Sequence, residues 1–241
     1  MPPTEPPTRP TVSVVIPVRN YRIYLGQCLD SVFAQTFVPT EVIVVDDHSE
    51  DGSLEFARGH SPAVRAVPAE GSGASSARNS GIRRSESDLI AFLDADDRWL
   101  PQALERMVAG LDEHPDAGFT SGRVREFISP ELGAEERERF TPRSDETAGV
   151  LISAVLFRRP VFDRIGCFDE TLEQAEVIDL LARCQDDGVE GHRLDSVIAE
   201  RRLHPAQLRR SRPDLVKVVR ASMARGGGKR PGPGGVIDPP V

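Results

Sequence analysis

Three carboxylates stand within four residues at Asp94, Asp96 and Asp97, directly after the apolar run from Leu89 to Leu93. Ionised together they repel one another, so such a loop is expected to meet a cation or converging donors. Hard oxygen ligands suit Mg2+ or Mn2+, particularly where a substrate phosphate completes the coordination shell. A purely structural use of the same residues would have Asp97 capping the next helix. Two further polar clusters close apolar runs, Pro17-Val18-Arg19-Asn20 and Asp46-Asp47. Gly71-Ser72-Gly73 would let the backbone approach a ligand closely, and Arg78 just beyond it is suited to grip a phosphate or carboxylate.

Spacing excludes several other chemistries. Asp47, Ser49, Asp51 and Gly52 imitate the first half of a calcium loop, but the position for its bidentate glutamate is Arg58. Gly71-Ser72-Gly73 has Ser76 where a dinucleotide fingerprint needs its third glycine, and it follows the third expected strand, not the first. Gly73-Ala74-Ser75-Ser76-Ala77 lacks the closing glycine of a hydrolase nucleophile elbow. A nucleotidyltransferase would want a lysine near the first strand, and none precedes Lys217.

These residues need a scaffold that brings strand ends together. Val12 to Ile16 and Glu41 to Val45 are nearly continuous apolar runs, the pattern of strands buried on both faces. Ala63 to Val67 and Leu89 to Leu93 are read as two more strands, with helices expected over Tyr24–Phe33, Leu54–Gly59 and Ala74–Arg84. This alternation predicts an α/β fold with a mostly parallel sheet. In such sheets ligands bind beyond the carboxyl ends of the strands, where all three polar clusters fall. Further on, a helix is expected to about His114, a strand over Gly118–Ile128, a charged mobile loop or lid over Pro130–Glu146, a strand over Val150–Phe157, a helical turn over Pro160–Ile165, and helices over Gln174–Gln185 and Pro213–Ala224.

The 241-residue length suits one domain, expected over residues 11–225 and divided near residue 115 into two halves. The proline-rich residues 1–10 and the Gly/Pro-rich residues 226–241 are expected to be a disordered lead-in and tail. With 39% hydrophobic and 28% charged residues, the composition is globular, and no run approaches the ~20 apolar residues of a membrane span. A net charge of −8 and 5% aromatic content argue against nucleic acid as a partner. Residues 201–230 run against this trend, with ten basic side chains and one acid. Their positive charge is a solvated face or an interaction segment. Cys28, Cys167 and Cys184 form no CxxC pair, which fits a reducing cytoplasm, and residues 1–10 contain no apolar core of a signal peptide.

The blocks VSVVIPVRN, VIVVDDHSEDGS, GSGASSARNSGI and LIAFLDADDRWLP resemble, in order and spacing, the signature blocks of family-2 glycosyltransferases. The resemblance covers residues 12 to about 208, continuing through AVLFRRPVFDRIGCFDETL and the late RRLH. It implies a GT-A fold with a nucleotide-binding half and an acceptor-side half. The implied activity is metal-dependent transfer of a sugar from a nucleoside diphosphate sugar to an acceptor hydroxyl, with inversion. By the same resemblance, Pro17, Arg19, Asp46 and Asp47 would line the nucleotide base and ribose. Asp94 would meet the ribose, Asp96 of the DxD motif would hold Mn2+ or Mg2+ on the diphosphate, and Arg78 would lie near the nucleotide. His204 matches a late histidine that approaches the metal or diphosphate.

The chain departs from the family where the helix after residue 174 opens. The usual Glu-Asp pair reads Glu176-Val177, so a valine occupies the expected base position. Three readings stay open: Glu176 is the base, Asp179 is the base, or a nucleotide sugar is bound without transfer. Asp179 is also spaced for an ordinary i,i+4 pair with Arg183. The acceptor would be a cell-surface glycan, a lipid-linked sugar, a peptide or a small natural product. The expected helix over Pro213–Ala224 has an apolar stripe suited to core packing or, with its basic neighbours, to peripheral docking at the inner face of an anionic membrane.

Overall fold

The computed structural model describes residues 9–142, 151–172 and 175–205. The expected lead-in to residue 8, the tail, the helix over Pro213–Ala224 and most of the basic segment lie outside the described residues, as do residues 143–146 of the charged loop.

Four parallel strands, β1 (Val12–Val18), β2 (Glu41–Asp46), β3 (Val64–Pro68) and β4 (Leu89–Phe92), alternate with helices α1 (Arg22–Phe33), α2 (Ser53–His60) and α3 (Ala74–Arg84). Along β1, Val12, Val14, Ile16 and Val18 pack into one apolar cluster, whereas Val15 enters a second cluster across the sheet. Both faces are covered, which is why these strands read as unbroken apolar runs. Leu25, Cys28, Leu29 and Val32 of α1 fill the first cluster, and Ala77 and Ile82 of α3 fill the second. Gly81 lets α3 approach β1, because a Cβ there would meet Val15 Cγ1 at 2.2 Å.

The sheet continues through β5 (Arg98–Trp99), β6 (Phe119–Ile128), β7 (Val155–Arg158) and β8 (Gly191–Leu203) in the order β3-β2-β1-β4-β7-β6-β8-β5. β7 runs antiparallel to β4 and β6, and β8 runs parallel to β6. Helices α4 (Ala103–Glu113), α5 (Ala134–Arg137), α6 (Arg159–Ile165) and α7 (Glu176–Asp186) complete the described elements. The chain moves outward from β1 through β2 to β3, then returns to place β4 on the other side of β1. That reversal opens a crevice between the carboxyl ends of β1 and β4, where the polar clusters stand.

The structure amends several expectations. Of the strand expected over Val150–Phe157, Val150 lies outside the described residues, a 3-10 turn occupies Ile152–Ala154, and β7 begins only at Val155. The charged loop contains α5, none of whose residues is buried. β8 was not legible, because its apolar residues Leu194, Val197, Ile198, Ala199 and Leu203 are interspersed among charged ones without regular alternation. The three cysteines are free thiols.

Candidate functional site

The loops after β1 and β2 are stitched together. The Asn20 amide N–H donates to Ser49 Oγ at 3.0 Å, Glu50 N–H donates to Asn20 Oδ1 at 2.8 Å, and Arg22 N–H donates to Asp51 at 2.9 Å. Asp47 accepts from Arg19 at 3.2 Å and from the Gly73 N–H at 3.0 Å, so the loop after β3 joins them. Asp46 receives the Ser49 N–H on Oδ2, while its buried Oδ1 has no protein partner. Pro17 sits in register with Val45 at the end of β1. Asn20, His48 and Ala175 are the non-glycine residues with left-handed backbones among the described residues; Asn20 and His48 lie in these joined loops, and Ala175 precedes Glu176 at the start of α7. Such conformations are held only where surrounding contacts over-determine them.

Arg78, buried in α3, ties together two of the expected site residues. Its guanidinium donates to Asp94 Oδ1 at 2.8 Å and to Glu176 Oε1 at 2.7 Å. Burial by itself would lower the arginine's pKa, but the two carboxylates outweigh it and raise the value above the ordinary one. Its Nε–H is buried without an acceptor, and Ser76 Oγ, two residues earlier in α3, is likewise buried without a partner.

On the other side of Asp94, Asp96 Oδ2 lies 2.9 Å from His204 Nε2. The imidazole is enclosed against the rings of Tyr21 and Tyr24, with centroids 5.3 and 4.7 Å away, and its Nδ1 has no partner. Asp97 does not cap a helix, for the residue preceding α4 is Gln102. It accepts instead from Ser153 Oγ at 2.8 Å and from the Arg202 N–H at 3.1 Å, fastening the acidic loop to β8. Burial, with Asp96 and Asp94 adding repulsion, pushes its pKa well above the usual carboxylate range.

Arg202 was not singled out by residue type, because an arginine in a basic segment reads as solvated. It is fully buried. Its Nε–H donates to the Asp96 carbonyl at 2.8 Å, and its other nitrogens donate to Gln27, Ser129 and Glu131. Tyr24 and Phe127 each present a ring centroid 4.7 Å from its guanidinium carbon.

Glu176 and Asp179 open α7, but they face different partners. Asp179 accepts from Arg183 Nε at 2.8 Å, and Arg183 also donates to the carbonyls of Ile165 and Cys167, so this pair joins α7 to the end of α6. That placement gives Asp179 a structural task and adds nothing to its reading as a base. Val177 packs against the second apolar cluster.

The structure therefore brings the expected residues into three groups: Arg19 with Asp47, Arg78 with Asp94 and Glu176, and Asp96 with His204. A parallel nucleotide-binding-type sheet, extended by antiparallel strands and carrying its acidic loop at the switch point, defines the class: this is the GT-A fold. Structures of Staphylococcus aureus TarS residues 1–349 share it, with a TM-score of 0.68 at 21% identity over 89% of this chain and 65% of that one. The TarS complex with UDP-GlcNAc gives 0.69 at 20% identity, covering 89% and 66% of the two chains. Residues 13–165 match the model of glycosyl transferase family 2, and the chain belongs to that family. Its relatives include glycosyltransferase AglE of Haloferax volcanii, 34% identical over 194 residues, covering 75% of this chain and 63% of that protein. Another is the uncharacterized glycosyltransferase EpsJ of Bacillus subtilis, 29% identical over 184 residues, covering 69% and 54%. The chain thus spans between half and two thirds of these relatives' lengths.

Proposed function

We propose that the chain binds a nucleoside diphosphate sugar at the carboxyl rim of β1, β2 and β4 and transfers the sugar to an acceptor hydroxyl. One observation carries this reading. Among the described residues, the buried side-chain polar atoms without a partner are Asp46 Oδ1, Ser76 Oγ, Arg78 Nε and His204 Nδ1, and all four border this rim. Such atoms are costly unless something completes their bonds, and a nucleotide offers both donors and acceptors.

A divalent ion suits Asp96 and His204. Their facing atoms are 2.9 Å apart. Two neighbouring ligands on an octahedral ion with bonds of about 2.1 Å would stand about 3.0 Å apart. Among the described residues no group of three or more His, Cys, Asp or Glu could hold a metal, so substrate phosphates and water would supply the remaining positions. When bound, Mn2+ or Mg2+ would offset the charge that develops on the departing diphosphate.

The chain's own residues do the rest. Asp46, Asp47 and Arg19 would receive the base and ribose, and Asp94 the ribose hydroxyls. Arg78 holds Asp94 and Glu176 in fixed relation. Glu176 Oε1 is committed to Arg78, so Oε2 would take the acceptor proton as the new glycosidic bond forms and the bond to the diphosphate breaks. A single displacement of this kind inverts the anomeric centre. A second reading, donor binding without transfer, is favoured by Val177, which fills the family's base position with an apolar side chain packed into the core.

Calorimetry with a panel of UDP-, GDP- and TDP-sugars, with and without Mn2+, tests the donor site, and UDP-GlcNAc, the ligand of the TarS complex, is the first to try. Failure to bind any donor would overturn the reading. Glu176→Gln should lower turnover by about tenfold or more while leaving donor affinity intact. Retained turnover would remove Glu176 from the mechanism, and no turnover in the wild type despite donor binding would select the second reading.

A further inference from the structure

Asp96 and His204 face each other at 2.9 Å although 108 residues separate them, so the loop before β5 must be held against the end of β8. Arg202, two residues before His204, makes that link. Its Nε–H donates to the Asp96 carbonyl at 2.8 Å, and its backbone N–H donates to Asp97 Oδ1 at 3.1 Å. Side chain and main chain of one residue therefore both grip the acidic loop. The contact with Asp96 falls on the main chain, while Asp96 Oδ2 faces the imidazole.

The same arginine reaches the histidine through Tyr24. The Tyr24 ring centroid lies 4.7 Å from the Arg202 guanidinium carbon and 4.7 Å from the centroid of the His204 ring. One guanidinium thus braces both residues that suit the ion, the aspartate directly and the histidine through an aromatic ring.

What fixes the arginine comes from two other elements. Its Nη2 donates to Gln27 Oε1 at 2.8 Å, and its Nη1 donates to Ser129 Oγ at 3.2 Å and to Glu131 Oε2 at 3.1 Å. Glu131 also accepts from Gln27 Nε2 at 2.8 Å and from Ser129 Oγ, so the clamp is itself cross-linked. Gln27 is on α1, three residues beyond Tyr24, and Ser129 and Glu131 follow β6. The Arg202 side chain is fully buried, whereas that of Glu131 is 36% exposed. A planar guanidinium with its donors engaged in several directions is a rigid strut, and here it ties the start of the charged loop to the ion site. Rigidity matters because ion–ligand distances in a well-formed site hold to about 0.2 Å.

Resting on the metal reading above, we infer that Arg202 and Glu131 are positioning residues of the ion site. Arg202, clamped by Glu131, sets the spacing of Asp96 and His204, and hence the affinity for Mn2+, without touching the ion. The test titrates the full chain with Mn2+, with and without UDP, and reads the free ion by electron paramagnetic resonance, with thermal melts alongside. Asp96→Ala defines the signal of a lost site. Arg202→Met should bind Mn2+ about tenfold more weakly or worse, the scale for losing an outer partner of a metal ligand. Glu131→Gln acts at a partly solvated side chain, should stay folded, and should weaken Mn2+ by about threefold or more, because the bond to Arg202 loses its charge assistance. If Arg202→Met does not fold, Glu131→Gln decides alone. Arg158→Met removes an arginine that donates to the Leu111 and Ala117 carbonyls, and it should lower the melting temperature while binding Mn2+ as the wild type does.

Wild-type affinity for Mn2+ in Glu131→Gln or in folded Arg202→Met, with binding lost in Asp96→Ala, would overturn the inference and leave the metal reading in place. Equal weakening in Arg158→Met would reduce the effect to general destabilisation and overturn it too. A wild type that binds no Mn2+ in either condition would overturn the metal reading itself, and the positioning roles with it.

Discussion

Replacing Arg78 by methionine should loosen the rim more than any other single change of similar volume. The side chain of Arg78 is 4% exposed, that of Glu176 13% and that of Asp94 35%. Removing one partner of a fully buried pair costs roughly 3–5 kcal/mol, because the abandoned charge has no water to return to. Asp94 keeps a third of its surface in solvent and will be partly rehydrated, so about 2–4 kcal/mol is expected. For a domain of this size that is a fall in melting temperature of roughly 5–15 °C. Arg78→Lys keeps the charge, but a single ammonium cannot reproduce two nitrogens reaching two carboxylates, and about half the loss should remain. Since Arg78 joins α3, the end of β4 and the start of α7, donor affinity should fall together with stability in the methionine variant. A double-mutant cycle with Glu176→Gln should return a coupling of about 1 kcal/mol or more. Thermal melts and donor calorimetry on the four proteins provide the check. An Arg78→Met variant that melts within about 2 °C of the wild type and binds donor equally well would refute the claim that this ion pair organises the site.

Asp96→Ala should reduce the transfer rate by about 10²-fold, chelation of the wild type with EDTA should do the same, and the variant should no longer respond to added Mn2+; full activity in the variant would exclude a metal role. Gly81→Ala forces a methyl group against Val15 and should destabilise the fold by about 1–3 kcal/mol in urea titrations despite the better helix propensity of alanine, so an unchanged midpoint would disprove the close approach of α3 to β1. The N–H and hydroxyl of Thr11 both donate to Asp88 and hold its pKa below the ordinary value. Because the folded-state value is the depressed one, the stabilisation is complete above about pH 4 and disappears as the pH falls through the folded pKa. Asp88→Asn should therefore lower the melting temperature at pH 7, with the gap to the wild type narrowing as the pH falls below about 4; a gap of constant size down to full protonation would contradict the assignment.

Much of the nucleotide-side half was legible in the residues. Strands buried on both faces need continuous apolar runs, so VSVVI and EVIVV announced themselves, and the polar residues that end them fell at the rim. Parallel crossovers place those ends on one side, which gathers Asp46, Asp47, Asp94 and Asp96 on a single rim. The i,i+4 partner of Asp179 was equally readable, because a helix presents such pairs from local geometry alone. β8 was not, since a strand with one partly solvated, charged face offers little apolar alternation.

What only the tertiary structure decided is which charges meet. Arg78 and Glu176 are 98 residues apart in the chain, and Asp96 and His204 are 108 apart. No local pattern distinguishes Arg202, fully buried among Gln27, Asp96, Ser129 and Glu131, from the adjacent Arg201, whose side chain is 39% exposed. The sequence by itself determined the layer architecture and the rim on which chemistry would sit, because periodicity records which face of each element is buried, while the family was legible through the resemblance of its ordered blocks. The pairings within that rim depend on how separate elements dock, and docking is set by the summed packing of both faces of the sheet, not by the residues adjacent to each charge.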